Sequence, residues 1–300
     1  MTSAINTKSA SLTPAWTWPN QSRLALSIVV NVEEGSEYTL ADGDKITEPV
    51  DELGVALKKP IRNHGNESNY RYGINEGHAR VAALLDQYKV SATYTAAAVA
   101  LERAPEIAAY IKARGHETCC HGYRWVHQFS FDEPREREFI KMGLDSIEKS
   151  TGTRPEGWLS RYLHTENTRR LLLEAGCSYH MDDYSCDTPF WGDINASQDK
   201  MVIVPYQLDT NDMKMWLAPG YMPSQWLEYA IDTFDTLYKE GSRDNARSVM
   251  MSLGLHLRII GRPGRIGYLE KFLQYASQKE GVWFARRADI ATHFASVVKP

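Results

Sequence analysis

Six stretches of this 300-residue chain place side chains that can move protons or hold charge directly after an apolar, β-rich run. Glu33 and Glu34 follow 23–31, His121 follows Glu117–Cys120, and Arg161 follows 155–159. Asp182 and Asp183 follow 177–181, Asp209 and Asp212 follow 201–205, and His256 with Arg258 closes Val249–His256. Carboxylates beside histidines equip a site for acid–base catalysis: an ionised carboxylate takes a proton from water and an imidazole returns one to the leaving atom. Arginine beside them can hold a carbonyl or carboxylate through paired N–H bonds. Taken singly, each residue has an ordinary use as a hydrogen-bonded histidine or a solvated loop acid. Their shared position at strand ends is what points to assisted hydrolysis.

That position has meaning only if the strands run parallel. In parallel α/β sheets and barrels, sites are built at the C-terminal ends of the strands. The runs 23–31 and Val249–His256 are almost continuously apolar, as strands buried on both faces are. Short strands are also expected at 90–95 and 282–285. Between the strands, Val81, Leu84, Leu85 and Tyr88 recur at helical spacing, and Pro105–Arg114 opens a helix with proline. A charged amphipathic helix is expected over 132–150 with Phe139, Met142 and Ile147 inward. Thr165 is expected to cap a helix ending at Gly176, and further helices to occupy 224–240, Pro263–Ser277 and the chain from Arg287. The segment 36–73 is rich in Gly, Asp, Asn and Pro and reads as a long loop, with Glu67 and Tyr70 in a pocket wall. Alternation without a linker predicts an α/β fold: one (β/α) barrel domain over 21–300, behind an irregular lead over 1–20.

Composition narrows the function. At 43% hydrophobic and 24% charged, with net charge -4, the chain has no basic footprint for nucleic acid. No apolar run reaches transmembrane length, and residues 1–14 lack the basic and apolar regions of a signal peptide, so a cytoplasmic location with no membrane partner is expected. Four cysteines, two of them adjacent at Cys119 and Cys120, suggest buried thiols and no disulfide framework.

Several motifs together resemble the polysaccharide deacetylase (NodB-homology) superfamily, in its allantoinase-like and cyclic imide hydrolase branch. They are Asn31-Val32-Glu33-Glu34-Gly35, Gly115-His116-Glu117 running to His121-Gly122-Tyr123-Arg124-Trp125, and Gly157-Trp158-Leu159-Ser160-Arg161 with Asn167-Thr168-Arg169-Arg170. Pro205-Tyr206 with Leu208 to Met213, and Gly254-Leu255-His256 running to Arg265, are the parts specific to the branch. The resemblance spans about residues 20–295. It implies a distorted (β/α) barrel, a cytoplasmic enzyme and a homo-oligomer, dimer or tetramer.

It also implies where this chain departs from its relatives. Deacetylases of the superfamily carry two aspartates where Glu33 and Glu34 stand; one is the base, and the other joins two histidines, spaced i and i+4, around a metal. Here the histidine positions are His121 and Trp125, which leaves Glu34 and His121 as the only ligand pair, short of a three-ligand zinc site. His127 lies outside the pattern and could restore a ligand only with the loop rearranged, while Asp209, Asp212 or His256 could supply a third; the loop Ser160–Glu166 is about one residue longer than in allantoinase-like relatives.

The expectation is therefore a hydrolase of a C–N bond in a cyclic amide, imide or ureide, without cofactor. Glu33, or else Glu34, is the base, its pKa raised by burial and by the neighbouring glutamate. His121 or His256 is the proton donor. Trp125, Arg161, Glu67, Tyr70, Asp209, Asp212 and Arg258 bind substrate, with Trp125 a flat wall for a planar ring. The alternatives are a zinc-dependent deacetylase of an N-acetylated sugar or small amide, and a barrel that binds a small molecule without catalysis.

Overall fold

Nine successive buried residues, Leu24–Val32, form β1, the strand from which the sheet is built. The computed structural model describes residues 16–52, 54, 59–194, 199–217, 220–242 and 248–300. Most of the expected irregular lead, 1–15, lies outside the described residues. After β1 come α1 (His64–Tyr72), a π-helical turn (Gly73–Gly77), α2 (His78–Tyr88), β2 (Ala92–Ala96), α3 (Ala98–Arg103) and α4 (Pro105–Arg114). Then follow β3 (Glu117–Cys120), α5 (Glu133–Thr151), β4 (Gly157–Trp158), α6 (Thr168–Glu174), β5 (Tyr179–His180), β6 (Phe190–Asp193) and β7 (Lys200–Ile203). The chain closes with a 3-10 turn (Asp212–Met215), α7 (Pro223–Glu240), β8 (Val249–His256), α8 (Leu257–Ile260), α9 (Pro263–Ser277), β9 (Val282–Phe284) and α10 (Arg287–Val297).

The sheet runs β6-β7-β5-β4-β3-β2-β1-β8, with β9 paired to β1. Every pairing is parallel except β6 with β7. This is the expected single-domain α/β distorted barrel, curled but not closed by a backbone ladder. The free edge of β8 is satisfied instead by the chain opposite it. Met250 N donates to Asp187 O at 2.8 Å, Ser252 N to Gln207 Oε1 at 2.6 Å, and Thr210 Oγ1 to Ser252 O at 2.6 Å. A buried Arg287 reaches Ser252 Oγ at 2.6 Å and the carbonyls of Val204 and Pro205. A strand edge covered in this way cannot recruit another chain.

Several local expectations are corrected. The supposed loop 36–73 contains α1, which Asn63 caps by accepting from Asn66 N. Its apolar content is low, so the helical period is hidden. Met142 of α5 is 38% exposed, because the buried stripe runs through Glu136, Ile140, Gly143, Leu144 and Ile147. The helix expected from Thr165 starts three residues later; Thr165 Oγ1 accepts from Asn167 N in a turn before it. The antiparallel β6 and the short α3 carry no periodic signal in the sequence. Among the described residues no helix is long and apolar enough to cross a membrane.

Candidate active site

Asn31 of β1 is the ladder partner of His256 at the end of β8, so the residues just past both strands meet. A cavity of about 440 Å³ opens there, lined by Glu33, His121, Trp125, Arg161 and His256 among others. That volume lies within the range of about 300–1,000 Å³ that small-molecule sites occupy.

Glu33 is the hub. Its Oε2 accepts from Arg258 Nη1 at 2.7 Å, and its Oε1 lies 3.3 Å from His256 Nε2. On its other side, His256 Nδ1 is 2.7 Å from Asp212 Oδ1, while Asp212 Oδ2 accepts from His256 N at 2.7 Å. Both ring nitrogens of His256 thus face carboxylate oxygens, which only accept when ionised, so both must donate and the ring is an imidazolium. Burial opposes that charge, but Glu33 and Asp212 outweigh it and raise His256 to about 9. Burial would likewise raise Glu33, yet His256 and Arg258 hold it well below the ordinary carboxylate value. The expected upward shift of Glu33 is therefore reversed. It is Glu34 that burial raises, helped by the charge of Glu33 against the pull of Arg258.

Glu34 does not line the cavity. Its Oε1 accepts from Arg258 N at 3.1 Å, and its Oε2 accepts from Glu33 N at 3.1 Å. The carboxylate lies against the π-helical turn, where a Cβ on Gly73 would come within 2.5 Å of Oε1. Only glycine admits the glutamate in this turned-away position. Glu33 is accordingly the residue placed to act as base.

His121 is bound at both ring nitrogens. Nδ1 is 2.6 Å from the carbonyl of Leu159 and must donate to it; Nε2 is 3.1 Å from the indole Nε1–H of Trp125 and must accept from it. This fixes the neutral tautomer with the proton on Nδ1. Glu33 Oε1, 3.5 Å from Nε2, is then a neighbouring acceptor and no hydrogen-bond partner. His121 has no proton to offer the cavity, which leaves His256 as the donor.

The same contacts decide the fit of a metal. Of the expected ligand pair, Glu34 is turned onto Arg258 and His121 has its lone pair on Trp125. Among the described residues no three His, Cys, Asp or Glu side chains are placed to hold a metal ion. His127 lines the cavity but its Nδ1 faces the carbonyl of Arg161 at 3.3 Å.

Of the expected substrate-binding residues, only Trp125 and Arg161 line the cavity. Arg161 is already engaged. Its two terminal nitrogens grip Glu48 at 2.9 and 2.5 Å, Nη1 also donates to Trp125 O at 2.8 Å, and its guanidinium carbon lies 3.6 Å from the Trp125 ring. One face of the indole is thereby covered by a cation and not left for a substrate ring. Arg258 is wholly buried behind Glu33, with the Tyr70 ring 4.2 Å from its guanidinium carbon, and Tyr70 Oη donates to Val50 O. Asp212 positions His256. Glu67 is drawn off to Arg62 and Thr39, and Asp209 accepts from Tyr229 at the surface. Asp182 is paired with His180 at 2.5 Å and accepts from Ser160 N, bracing the wall from behind, while Asp183 accepts from Ser185.

Sequence reasoning missed Glu48, which lies in a stretch without periodicity and whose role depends on meeting Arg161. It also missed Asn31, Tyr206, Asn211 and Lys214 in the cavity lining. Asn31, Tyr206 and Asn211 sit inside the motifs that carried the resemblance, which was the available signal.

Known proteins share the family and the fold. The polysaccharide deacetylase family profile matches residues 68–180. A Schizosaccharomyces pombe protein provisionally described as a polysaccharide deacetylase is 35% identical over 293 residues, covering 91% of each chain. A Pseudomonas aeruginosa PAO1 structure with the same provisional description is 41% identical, with TM-score 0.87 over 93% of each chain. The crystal structure of PuuE allantoinase is 40% identical, also with TM-score 0.87 over 93% of each chain. The chain is thus a hydrolase of C–N bonds other than peptide bonds. It belongs to the polysaccharide deacetylase family, and its likeness to PuuE allantoinase is consistent with the allantoinase-like branch of that family.

Proposed function

We propose that the protein hydrolyses a C–N bond of a small cyclic amide, imide or ureide, and does so without a metal. The observation that carries this reading is the pair Glu33 and His256, an ionised acid and a protonated imidazole 3.3 Å apart at the cavity, beside a His121 whose metal-binding lone pair is occupied by Trp125. Two titratable groups pushed apart in this way divide the roles of base and acid between them.

Water bound at Glu33 gives it a proton, and the remaining hydroxide oxygen forms a bond to the carbonyl carbon. The tetrahedral adduct collapses by breaking the C–N bond, and His256 gives its Nε2 proton to the departing nitrogen. Once Glu33 carries the water's proton, His256 loses the counter-charge that most raises it and becomes a stronger acid, so the first transfer assists the second. The proton left on Glu33 then passes to Nε2 across the 3.3 Å contact and resets the pair. Net, one water is added and the ring opens. Arg258 stays charged throughout and keeps Glu33 aimed.

The test is a hydrolysis screen of the purified protein, with and without exhaustive chelation, against allantoin, hydantoins, succinimide, dihydropyrimidines and an N-acetyl sugar. Ring opening of a cyclic amide that survives chelation is the expected result. Activity confined to the N-acetyl sugar, lost to chelator and restored by zinc, would overturn it.

A further inference from the structure

Proton transfer by Glu33 and His256 leaves one requirement unmet: the negative charge that gathers on the carbonyl oxygen as water adds. Arg161 is bound to Glu48, and Arg258 is buried behind Glu33. The cavity wall nevertheless holds a polar group whose hydrogen-bonding capacity is only half used.

Tyr206, 5% exposed, lines the cavity at the hinge between the end of β7 and the 3-10 turn that carries Asp212. Its Oη receives Asn31 Nδ2 at 3.1 Å and Asn211 Nδ2 at 2.9 Å. The orientation of both amides is fixed by backbone groups. Asn31 Nδ2 also donates to the carbonyl of Leu255 at 3.1 Å, and its Oδ1 accepts from Thr95 Oγ1 at 2.6 Å. Asn211 Oδ1 accepts from Met213 N at 2.8 Å, which turns its Nδ2 toward the tyrosine. A carbonyl can only accept and a backbone N–H only donate, so neither amide can be flipped.

Tyr206 Oη therefore accepts two hydrogen bonds, and its own proton has no acceptor among the described residues. Two donors on a hydroxyl oxygen polarise its O–H bond and strengthen it as a donor. The space is made for this arrangement: a Cβ on Gly254 would stand 2.3 Å from Tyr206 Oη and 2.8 Å from Asn211 Nδ2. Burial also raises the phenol above its ordinary value, so it keeps its proton at neutral pH.

We propose that the Tyr206 hydroxyl is the catalytic donor to the carbonyl oxygen of the substrate, stabilising the oxyanion of the tetrahedral adduct, and that Asn31 and Asn211 are its positioning residues. This rests on the reading of the protein as a hydrolase of cyclic amides. It gives three otherwise unconnected parts of the sequence, Asn31 before the glutamates, Tyr206 with Asn211, and Gly254 before His256, one task. Each sits on a different element, and only the folded sheet brings them to a single oxygen atom.

The experiment uses the full chain and whichever cyclic amide of the screen is turned over. Tyr206→Phe keeps the ring and removes the donor. Its expected effect is a fall in kcat of about 10²–10³-fold, the usual cost of losing one oxyanion donor. KM should stay within about threefold, since an interaction made in the transition state is lost from kcat and not from ground-state binding. Asn211→Asp is the second variant: it still accepts from Met213 N, but it offers Oη an acceptor in place of a donor and so draws the hydroxyl proton away from the cavity. A similar loss of kcat there, with the tyrosine intact and the unfolding midpoint preserved, is the result expected of a positioning role. If the wild type turns over a cyclic amide and Tyr206→Phe keeps its kcat within a few-fold while folded, the role of Tyr206 is overturned and the function stands. If the wild type opens none of the rings, the functional reading falls and the role of Tyr206 falls with it.

Discussion

The indole N–H of Trp125 donates to Nε2 of His121 at 3.1 Å, four residues along the same loop. The resemblance to the deacetylases implies a second imidazole at that spacing; here a donor occupies the lone pair that a metal would need. Titration of the metal-stripped protein with zinc should therefore reveal no stoichiometric site. Trp125→Phe should not create one, because Glu34 remains on Arg258 and packed against Gly73. One tightly bound zinc per chain, in either protein, would contradict this geometry.

Glu33→Gln removes the base and also the charge that stands between Arg258 and His256. Turnover should fall by about 10²–10⁴-fold, the range of a lost general base. The same variant should lower the titration of His256 from about 9 toward its ordinary 6.5, because Glu33 is the largest influence raising it. Following the His256 ring protons by NMR as pH rises checks the second effect independently of any substrate. A His256 that still titrates near 9 would show that Glu33 does not hold its proton.

The pH dependence follows from the same pair. Activity needs Glu33 ionised and His256 protonated, so kcat/KM should hold across neutral pH and decline through an apparent pKa near 9, which belongs to the coupled pair. Stability should move with it. His256 is raised in the folded state, so its contribution is fully present below 6.5 and is lost as pH rises through 9. Glu33 is depressed, so its contribution is present above 4.5 and is lost on acidification below that value. Asp212→Asn removes a second counter-charge and should shift the alkaline limb to lower pH; an unmoved limb would assign it to another group.

Arg161 is the residue for which sequence and structure disagree most usefully. The sequence suggested a substrate clamp; the structure shows a buried bidentate pair with Glu48, whose side chains are 5% and 2% exposed. Arg161→Met should cost about 3–5 kcal/mol in urea unfolding, as breaking one side of a buried ion pair does. Arg161→Met with Glu48→Gln should recover much of that, since the stranded charge is gone. A double variant no more stable than the single one would show that Arg161 acts mainly through its packing on Trp125.

What the sequence revealed and what it concealed divide along a physical line. Long parallel strands are continuous apolar runs, so β1 and β8 were legible and with them the position of Glu33 and His256. Helices with a strong stripe, such as α7 with Trp226, Ala230, Phe234 and Leu237 buried, were legible too. Contacts between residues far apart in the chain were not: Arg161 to Glu48 spans 113 positions and Arg258 to Glu33 spans 225. Those contacts set which charges are free, so the sequence could name the charged residues but not their duties. It placed Glu34 beside Glu33 without showing that Gly73 lets it turn away. It found both histidines but could not say which carries a transferable proton, because that is decided by Leu159 O, Trp125 and Asp212.

The edge of β8, covered by side chains and not by a strand, has a consequence for how this enzyme could change over time. The wall facing β8, residues 205–213, is tied to it through Gln207, Thr210 and Asp212 and by no strand pairing. Side-chain ties can be exchanged one at a time, whereas a ladder shifts as a unit and carries every residue to the opposite face. Glu33 and His256 sit at the ends of the rigid strands, while Tyr206, Leu208, Asn211 and Met213 line the cavity from the tied wall. The wall positions that carry no catalytic task, Leu208 and Met213 among them, can thus be redrawn to fit a new substrate while Tyr206, Asn211 and Asp212 and the strands stay where they are.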